Sequence, residues 1–297
     1  MQFALTGVAG YIAPRHLQAI KNTGHTLVAA LDPHDSVGVL DSYFPDCNFF
    51  TEPERFDRHL YKLRKEIRGI SYLSICSPNY LHDAHIRMAL RNGAHAICEK
   101  PLVLYPHNLD MLHELEIETA KNVYTVLQLR HHPQIINLKK QYANTTTHHQ
   151  VKLEYITSRG NWYRYSWKGN EERSGGILAN IGIHFFDMLI WIFGQVQACH
   201  ITSDTNTCIT GMLELAHATV QWTLSIDKND LPSHIINSNI ATYRKIEIDG
   251  TQQEFSDGFG DLHTVVYESI LSGQGFGIED ARPSIEVVHK LRLLLHK

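Results

Sequence analysis

The sequence predicts an α/β protein in two parts: an open parallel-sheet domain over residues 1–120, then an α+β domain with an open, mostly antiparallel sheet over residues 121–297. Three observations carry this. Short apolar runs alternate with helix-like segments through the first third, the rhythm of βαβ units. After residue 150 that rhythm gives way to period-two alternation, the mark of half-buried strands. A turn of small residues follows the first apolar run and leads directly into a helix.

Strands of the alternating pattern are expected at Phe3–Thr6, Leu27–Leu31, Tyr72–Cys76, Ala94–Cys98 and, just past residue 120, Val123–Leu127. Helices are expected between them at Arg15–Asn22 and Leu81–Arg91, closed by Gly24 and Gly93, and at Glu54–Lys65 and Asn108–Ala120. In the second part strands are expected at Val151–Tyr155, Ala198–Thr202, Thr210–Leu215, Ala218–Ser225 and Arg244–Asp249. One long apolar helix, Ile181–Phe193 ending at Gly194, would cover a face of that sheet. The polar segment Tyr142–Gln150 reads as a flexible connection, and Asp280–His296 as an amphipathic C-terminal helix.

Composition excludes several classes. With 27 basic and 31 acidic side chains the net charge is -4, so no global field points to nucleic acid or an anionic membrane. The five cysteines form no CxxC pair, and Cys76 and Cys98 fall in apolar runs, as expected of a reducing, cytoplasmic setting. The start MQFALTG lacks the pattern of a signal peptide. The most apolar stretch, Ile177–Gly194, carries Asn180, His184 and Asp187, costly in lipid and acceptable in a core helix. The 20 histidines are an excess, but His131-His132 and His148-His149 are adjacent pairs whose side chains diverge, and no metal site is expected.

The turn after the first strand is Gly7-Val-Ala-Gly10-Tyr11-Ile12-Ala13, which lets backbone amides approach a pyrophosphate at a helix N-terminus. Asp32 lies 22 positions after Gly10, at the end of the second strand, where a carboxylate bonds ribose hydroxyls and repels a 2′-phosphate. That favours NAD over NADP, with a flavodoxin-like domain lacking the cofactor as the alternative. Cys76-Ser77-Pro78-Asn79 with His82, and Cys98-Glu99-Lys100-Pro101, both follow strands and so fall at the sheet crest. Pro101 biases Lys100 to extended backbone. Gln128 and Arg130, after the fifth strand, would face the cofactor crevice.

Together with Gly175-Gly176 and His184-x-x-Asp187, these segments resemble the Gfo/Idh/MocA oxidoreductases over essentially the whole chain. Gly7–His16, Tyr43–Asp46, Glu54–Leu60, Arg159–Tyr163, Ser166–Gly169 and Asn180–Asp187 look like the WlbA/WbpB subgroup, which has Asn where many members have Asp at position 180. The resemblance implies a Rossmann NAD-binding domain and a domain for substrate binding and oligomerisation. It further implies oxidation of the C3 hydroxyl of UDP-N-acetylglucosaminuronate, in bacterial surface-polysaccharide sugar biosynthesis, by a homotetramer. Other sugar or inositol dehydrogenases, or a non-catalytic NAD-binding regulator, are the alternatives.

The resemblance implies Gly7, Gly10, Tyr11, Ile12, Asp32, Ser77, Asn79, His82, Glu99, Lys100 and Gln128 at the cofactor, and Lys100 and His184 as catalytic residues. A secondary alcohol needs a base as well as a hydride acceptor: His184 titrates near neutrality, whereas Lys100 needs desolvation or a neighbouring cation. Asp187 shares a helix face with His184 and could orient it. For the substrate, Arg159, Tyr163, Trp167, Lys168, Ser174, Asn180 and His184 are expected, with Trp162 as a further stacking platform and His263 as a possible contact.

Overall fold

The computed structural model describes residues 1–238, 240–253 and 260–295, and the chain divides into two compact units. One is Met1–Gln128 with Asp261–Arg282; the other is Leu129–Gly260 with Pro283–Lys297.

The first unit begins with β1 (Gln2–Thr6), α1 (Ala13–Asn22), β2 (Thr26–Leu31), α2 (Val39–Tyr43), β3 (Asn48–Phe50), α3 (Pro53–Lys65), β4 (Tyr72–Ile75), α4 (His82–Arg91), β5 (His95–Cys98), α5 (His107–Thr119) and β6 (Val123–Thr125). All five expected strands and four expected helices form, and α2 and β3 are additions. Three residues are too few to show a period, so β3 could not be read from the sequence. The six strands are parallel in the order β3-β2-β1-β4-β5-β6. The order reverses between β1 and β4, which opens a crevice at their carboxyl ends beside Gly7 and Ser77.

The second unit runs through α6 (Pro133–Tyr142), β7 (His149–Thr157), two single helical turns α7 (Trp162–Tyr165) and α8 (Glu171–Ser174), α9 (Ile183–Phe193), β8 (Val196–Asp204), β9 (Cys208–Leu215), β10 (Ala218–Ser225), α10 (Ser233–Asn237), β11 (Thr242–Ile248) and β12 (Thr251–Gln253). Its sheet has the order β12-β11-β7-β10-β9-β8, antiparallel except where β7 meets β10. The predicted connection narrows to residues 143–148, because α6 ends at Tyr142 and β7 starts at His149. Val151, Leu153, Val220, Trp222, Leu224, Leu213 and Leu215 alternate onto the buried sheet face. Trp222 crosses Phe186 of α9 edge to face. The stretch Glu171–Phe193 is long and apolar enough to cross a membrane, but 78% of its most apolar window is buried inside the protein.

The chain then enters α11 (Leu262–Leu271) and α12 (Ile278–Leu295); His296, the expected helix end, lies outside the described residues. Helix α11 completes the first unit, with Val266, Tyr267 and Ile270 in the same core cluster as Phe3, Leu17 and Ile20. All five cysteines are free thiols.

Candidate active site

At the end of β1 the chain turns at Gly7, with φ at 82°. A Cβ there would lie 2.6 Å from the Cys76 carbonyl and the Ser77 nitrogen, so only glycine fits both the backbone conformation and the space. Gly10 donates back to the Gly7 carbonyl, Tyr11 is 85% exposed, and Ile12 leads into α1 with proline in its first turn. Asp32, buried at the end of β2, accepts from the amides of Ala9 at 3.0 Å and His34 at 2.9 Å. This ties the β1 turn to a carboxylate whose remaining lone pairs suit a diol. These residues fit the adenosine diphosphate half of NAD.

The next two crest segments divide between ligand-side and supporting residues. The Ser77 hydroxyl bonds His85 Nδ1 at 2.8 Å, and Asn79 is buried beside it. His82 is fully buried, with Nδ1 2.7 Å from the Pro101 carbonyl and Nε2 2.9 Å from the Ser77 carbonyl. Both ring nitrogens face backbone carbonyls, so the ring ties the two crest loops together within the segment expected at the cofactor. Glu99, also expected at the cofactor, is engaged within the protein. Its Oε1 accepts from His16 and His263, each at 3.0 Å, and its Oε2 faces the amide of Lys100 at 3.3 Å. Burial opposes its charge, but the two histidine bonds hold its carboxyl well below the usual range. His263 thus sits on Glu99. Lys100 follows, half-buried, with a cis bond to Pro101, and Gln128 is half-buried at the start of a 3-10 turn.

The second unit gathers the expected substrate residues on the turns before α9. Lys168 lies 5.6 Å from the Trp162 ring and 5.7 Å from that of Trp167, and burial together with the charge of Arg159 lowers its pKa. Tyr163, 4% exposed, accepts from the Asn180 amide at 3.1 Å, so those two meet. Tyr163 and Lys168 line a cavity of about 350 Å³ with Gly175, Ile177 and Asp204. Arg159 is exposed. Ser174 is fully buried, donating to the Asn170 carbonyl and accepting from Gly176, and so closes the turn that leads to Gly175 and Gly176.

Asn180 falls within a π-turn, Leu178–Gly182, that feeds α9, and His184 is half-buried in the first turn of that helix. Asp187 accepts a fork from Arg130, at 3.0 Å from Nε and 2.8 Å from Nη2, with both side chains buried. Arg130, expected at the cofactor, therefore anchors α9, and its guanidinium lies 5.8 Å from the Trp191 ring. Sequence reasoning missed this pair. It also missed His16 and Tyr267, which hydrogen-bond at 2.8 Å behind Glu99. His16 stood within a segment carrying the family resemblance, and that was the available signal.

The profile of the oxidoreductase family with an NAD-binding Rossmann fold, Gfo/Idh/MocA, matches residues 1–127, and that of its C-terminal alpha/beta domain matches residues 148–223. The WlbA (WbpB) dehydrogenase of Thermus thermophilus, solved with NAD and UDP-GlcNAcA, is 51% identical, with 98% of this chain and 94% of that chain covered and a TM-score of 0.96. The same enzyme has been solved with NAD and alpha-ketoglutarate. The WlbA dehydrogenase of Bordetella pertussis, 17% identical over 100% of this chain and 96% of that chain, shares the fold at a TM-score of 0.80. The D-glucoside 3-dehydrogenase of Escherichia coli K12 is 30% identical over 128 residues, 41% of this chain and 35% of that protein. The chain spans about a third to a half of the length of such curated relatives. The crest turn, the Glu99-Lys100-Pro101 segment and both matched domains converge: this chain belongs to the Gfo/Idh/MocA family of NAD-binding oxidoreductases.

Proposed function

We propose that this protein oxidises the C3 hydroxyl of UDP-N-acetylglucosaminuronate to the 3-keto sugar, in the cytoplasm, as a step in making bacterial surface-polysaccharide sugars. The observation that carries the proposal is 51% identity, over nearly the whole chain, to a dehydrogenase that binds NAD and UDP-GlcNAcA. The unit of Met1–Gln128 with Asp261–Arg282, larger than the expected 1–120, holds the cofactor, and the unit of Leu129–Gly260 with Pro283–Lys297 holds the substrate and builds a homotetramer.

Bound NAD supplies the hydride acceptor. The hydrogen on C3 would depart with its bonding pair as hydride to that acceptor, the hydroxyl proton would pass to the protein, and the freed O–H pair would complete the carbonyl. His184 takes that proton as base or relay, and Lys100 bonds the C3 oxygen and stabilises the developing alkoxide. Gly7, Gly10, Tyr11, Ile12, Asp32, Ser77, Asn79 and Gln128 serve the cofactor. Arg159, Tyr163, Trp167, Lys168 and Asn180 serve the nucleotide sugar, Lys168 and Arg159 supplying positive charge against its phosphates and carboxylate.

The test follows NADH absorbance with UDP-N-acetylglucosaminuronate against UDP-N-acetylglucosamine and free sugars, with 2-oxoglutarate supplied to reoxidise any NADH that stays bound. Turnover confined to the uronate is expected, and Lys100→Met should abolish it with NAD affinity retained. Equal or better turnover of a free sugar would move the assignment to another sugar dehydrogenase.

A further inference from the structure

Behind the turn that bears Lys100 lies a chain of buried polar side chains that neither hydride nor proton transfer uses. It joins His16 on α1, Ser74 in β4, Glu99 at the end of β5, and His263 and Tyr267 on α11, all within the first unit. The Ser74 and Tyr267 hydroxyls are 2.6 Å apart, and Tyr267 lies 2.8 Å from His16 Nδ1. His16 Nε2 and His263 Nε2 each lie 3.0 Å from the same oxygen, Oε1 of Glu99.

The donor directions follow from chemistry. A carboxylate only accepts, so both histidines present N–H at Nε2. Burial lowers the pKa of His16, so its ring is neutral and its bare Nδ1 accepts from Tyr267. The Tyr267 oxygen then accepts from Ser74. Ser74, Tyr267, His16 and Glu99 are paired in sequence along this chain, and the product is a carboxylate held in one rotamer, with its second oxygen Oε2 accepting from the backbone amide of Lys100 at 3.3 Å.

Apolar side chains of the same volume would fill this interior without the desolvation cost of a buried charge. Stability therefore gives no reason for the cluster, and the amide it holds gives one. We propose that His16, His263 and Tyr267 are positioning residues for Lys100: by fixing the Glu99 carboxylate they fix the backbone from which the lysine reaches its substrate. This rests on the role of Lys100 in the proposed oxidation. The three ligand-type atoms of His16, Glu99 and His263 lie within 4.8 Å of one another, a spacing that also suits a divalent cation. Two donors at hydrogen-bond distance from one oxygen, with a complete donor chain behind His16, favour the network.

Three changes test it in the full-length, NAD-loaded protein. Glu99→Gln keeps the volume, but either orientation of the amide points N–H groups at N–H groups. His263→Leu removes one donor, and His263→Gln restores an N–H at that site. The readouts are kcat and KM for the nucleotide sugar, Kd for NAD, and competitive acetylation of Lys100 against exposed Lys62, mapped by mass spectrometry. Glu99→Gln and His263→Leu should lower kcat by about ten- to a hundredfold, with KM and Kd within about threefold, and His263→Gln should recover most of the loss. Lys100 acetylation relative to Lys62 should change in the first two and not in the third. Unchanged kcat and acetylation in Glu99→Gln would overturn the proposal. So would a stoichiometric metal ion in the wild type that disappears in His263→Leu. If the wild type oxidises no nucleotide sugar, the functional proposal falls while the acetylation comparison still decides this one.

Discussion

His85 shows how burial at the crest makes a single side chain sensitive to acid. Its ring, 7% exposed, bonds Ser77, and burial followed by the charge of His82 lowers its pKa to about 4 from 6.5. The folded state therefore binds fewer protons than the unfolded chain between those values. The stability from keeping this ring neutral is complete above about pH 6.5 and is lost as pH falls towards 4, at about 1.4 kcal/mol per pH unit. Burial shifts His16 and His82 in the same direction and adds to the slope. Thermal midpoints should level off near neutrality and drop steeply below pH 6.5, and His85→Gln should make that drop shallower. A variant that kept the wild-type slope would sink the assignment. The same residues mark the limit of the sequence at this scale. His82 and Glu99 belong to motif segments and were expected at the ligand. A motif says which residues are present, whereas the direction of a side chain depends on partners 83 and 164 positions away in the case of Glu99.

The β1–α1 turn joins two constraints usually met apart. Gly7 and Gly24 both have positive φ, 82° and 74°. Around Gly24 nothing lies within 4 Å of a built Cβ, whereas at Gly7 the Cys76 carbonyl and Ser77 nitrogen lie at 2.6 Å. Gly24→Ala should therefore cost only the left-handed backbone, about 1 kcal/mol, with NAD affinity unchanged. Gly7→Ala adds the clash with the Cys76–Ser77 backbone just after β4, which must move, and the turn amides proposed for the pyrophosphate move with it. A loss of NAD affinity by about tenfold or more is expected from titrating NADH fluorescence, and retention of affinity in Gly7→Ala would contradict this account of the turn. Elements with a strong period were legible: the five parallel strands, the five long strands of the second sheet and α9 all formed near their expected bounds. Short ones were not. α7, α8 and the π-turn before α9 are set by caps such as the Asn170 side chain on the Arg173 amide, and by the meeting of Tyr163 and Asn180, none of which leaves a periodic trace.

For the whole molecule, the second sheet has one face in the core and another that needs explaining. Along β7, β10 and β11 the outward positions hold Lys152, Glu154, Gln221, Thr223, Lys245 and Glu247. They pair across strands with opposite charges, Lys152 facing Glu247 and Glu154 facing Lys245, and Gln221 lies opposite Lys152 on the other side. A mixed-charge face can meet a two-fold copy of itself without like charges opposing, as a symmetric interface requires. We propose that a homotetramer would be built through this face, and light scattering at micromolar concentration should then give four times the 33.9 kDa chain mass. Gln221→Lys places a second cation beside Lys152 at the centre of the face. In the free unit that position is exposed and the change should move the thermal midpoint little, whereas across a two-fold axis the added charges oppose one another and the assembly should fall to dimers or monomers. A wild type that scatters as a monomer would refute the tetramer, and a Gln221→Lys variant that remained tetrameric would move the interface off this face.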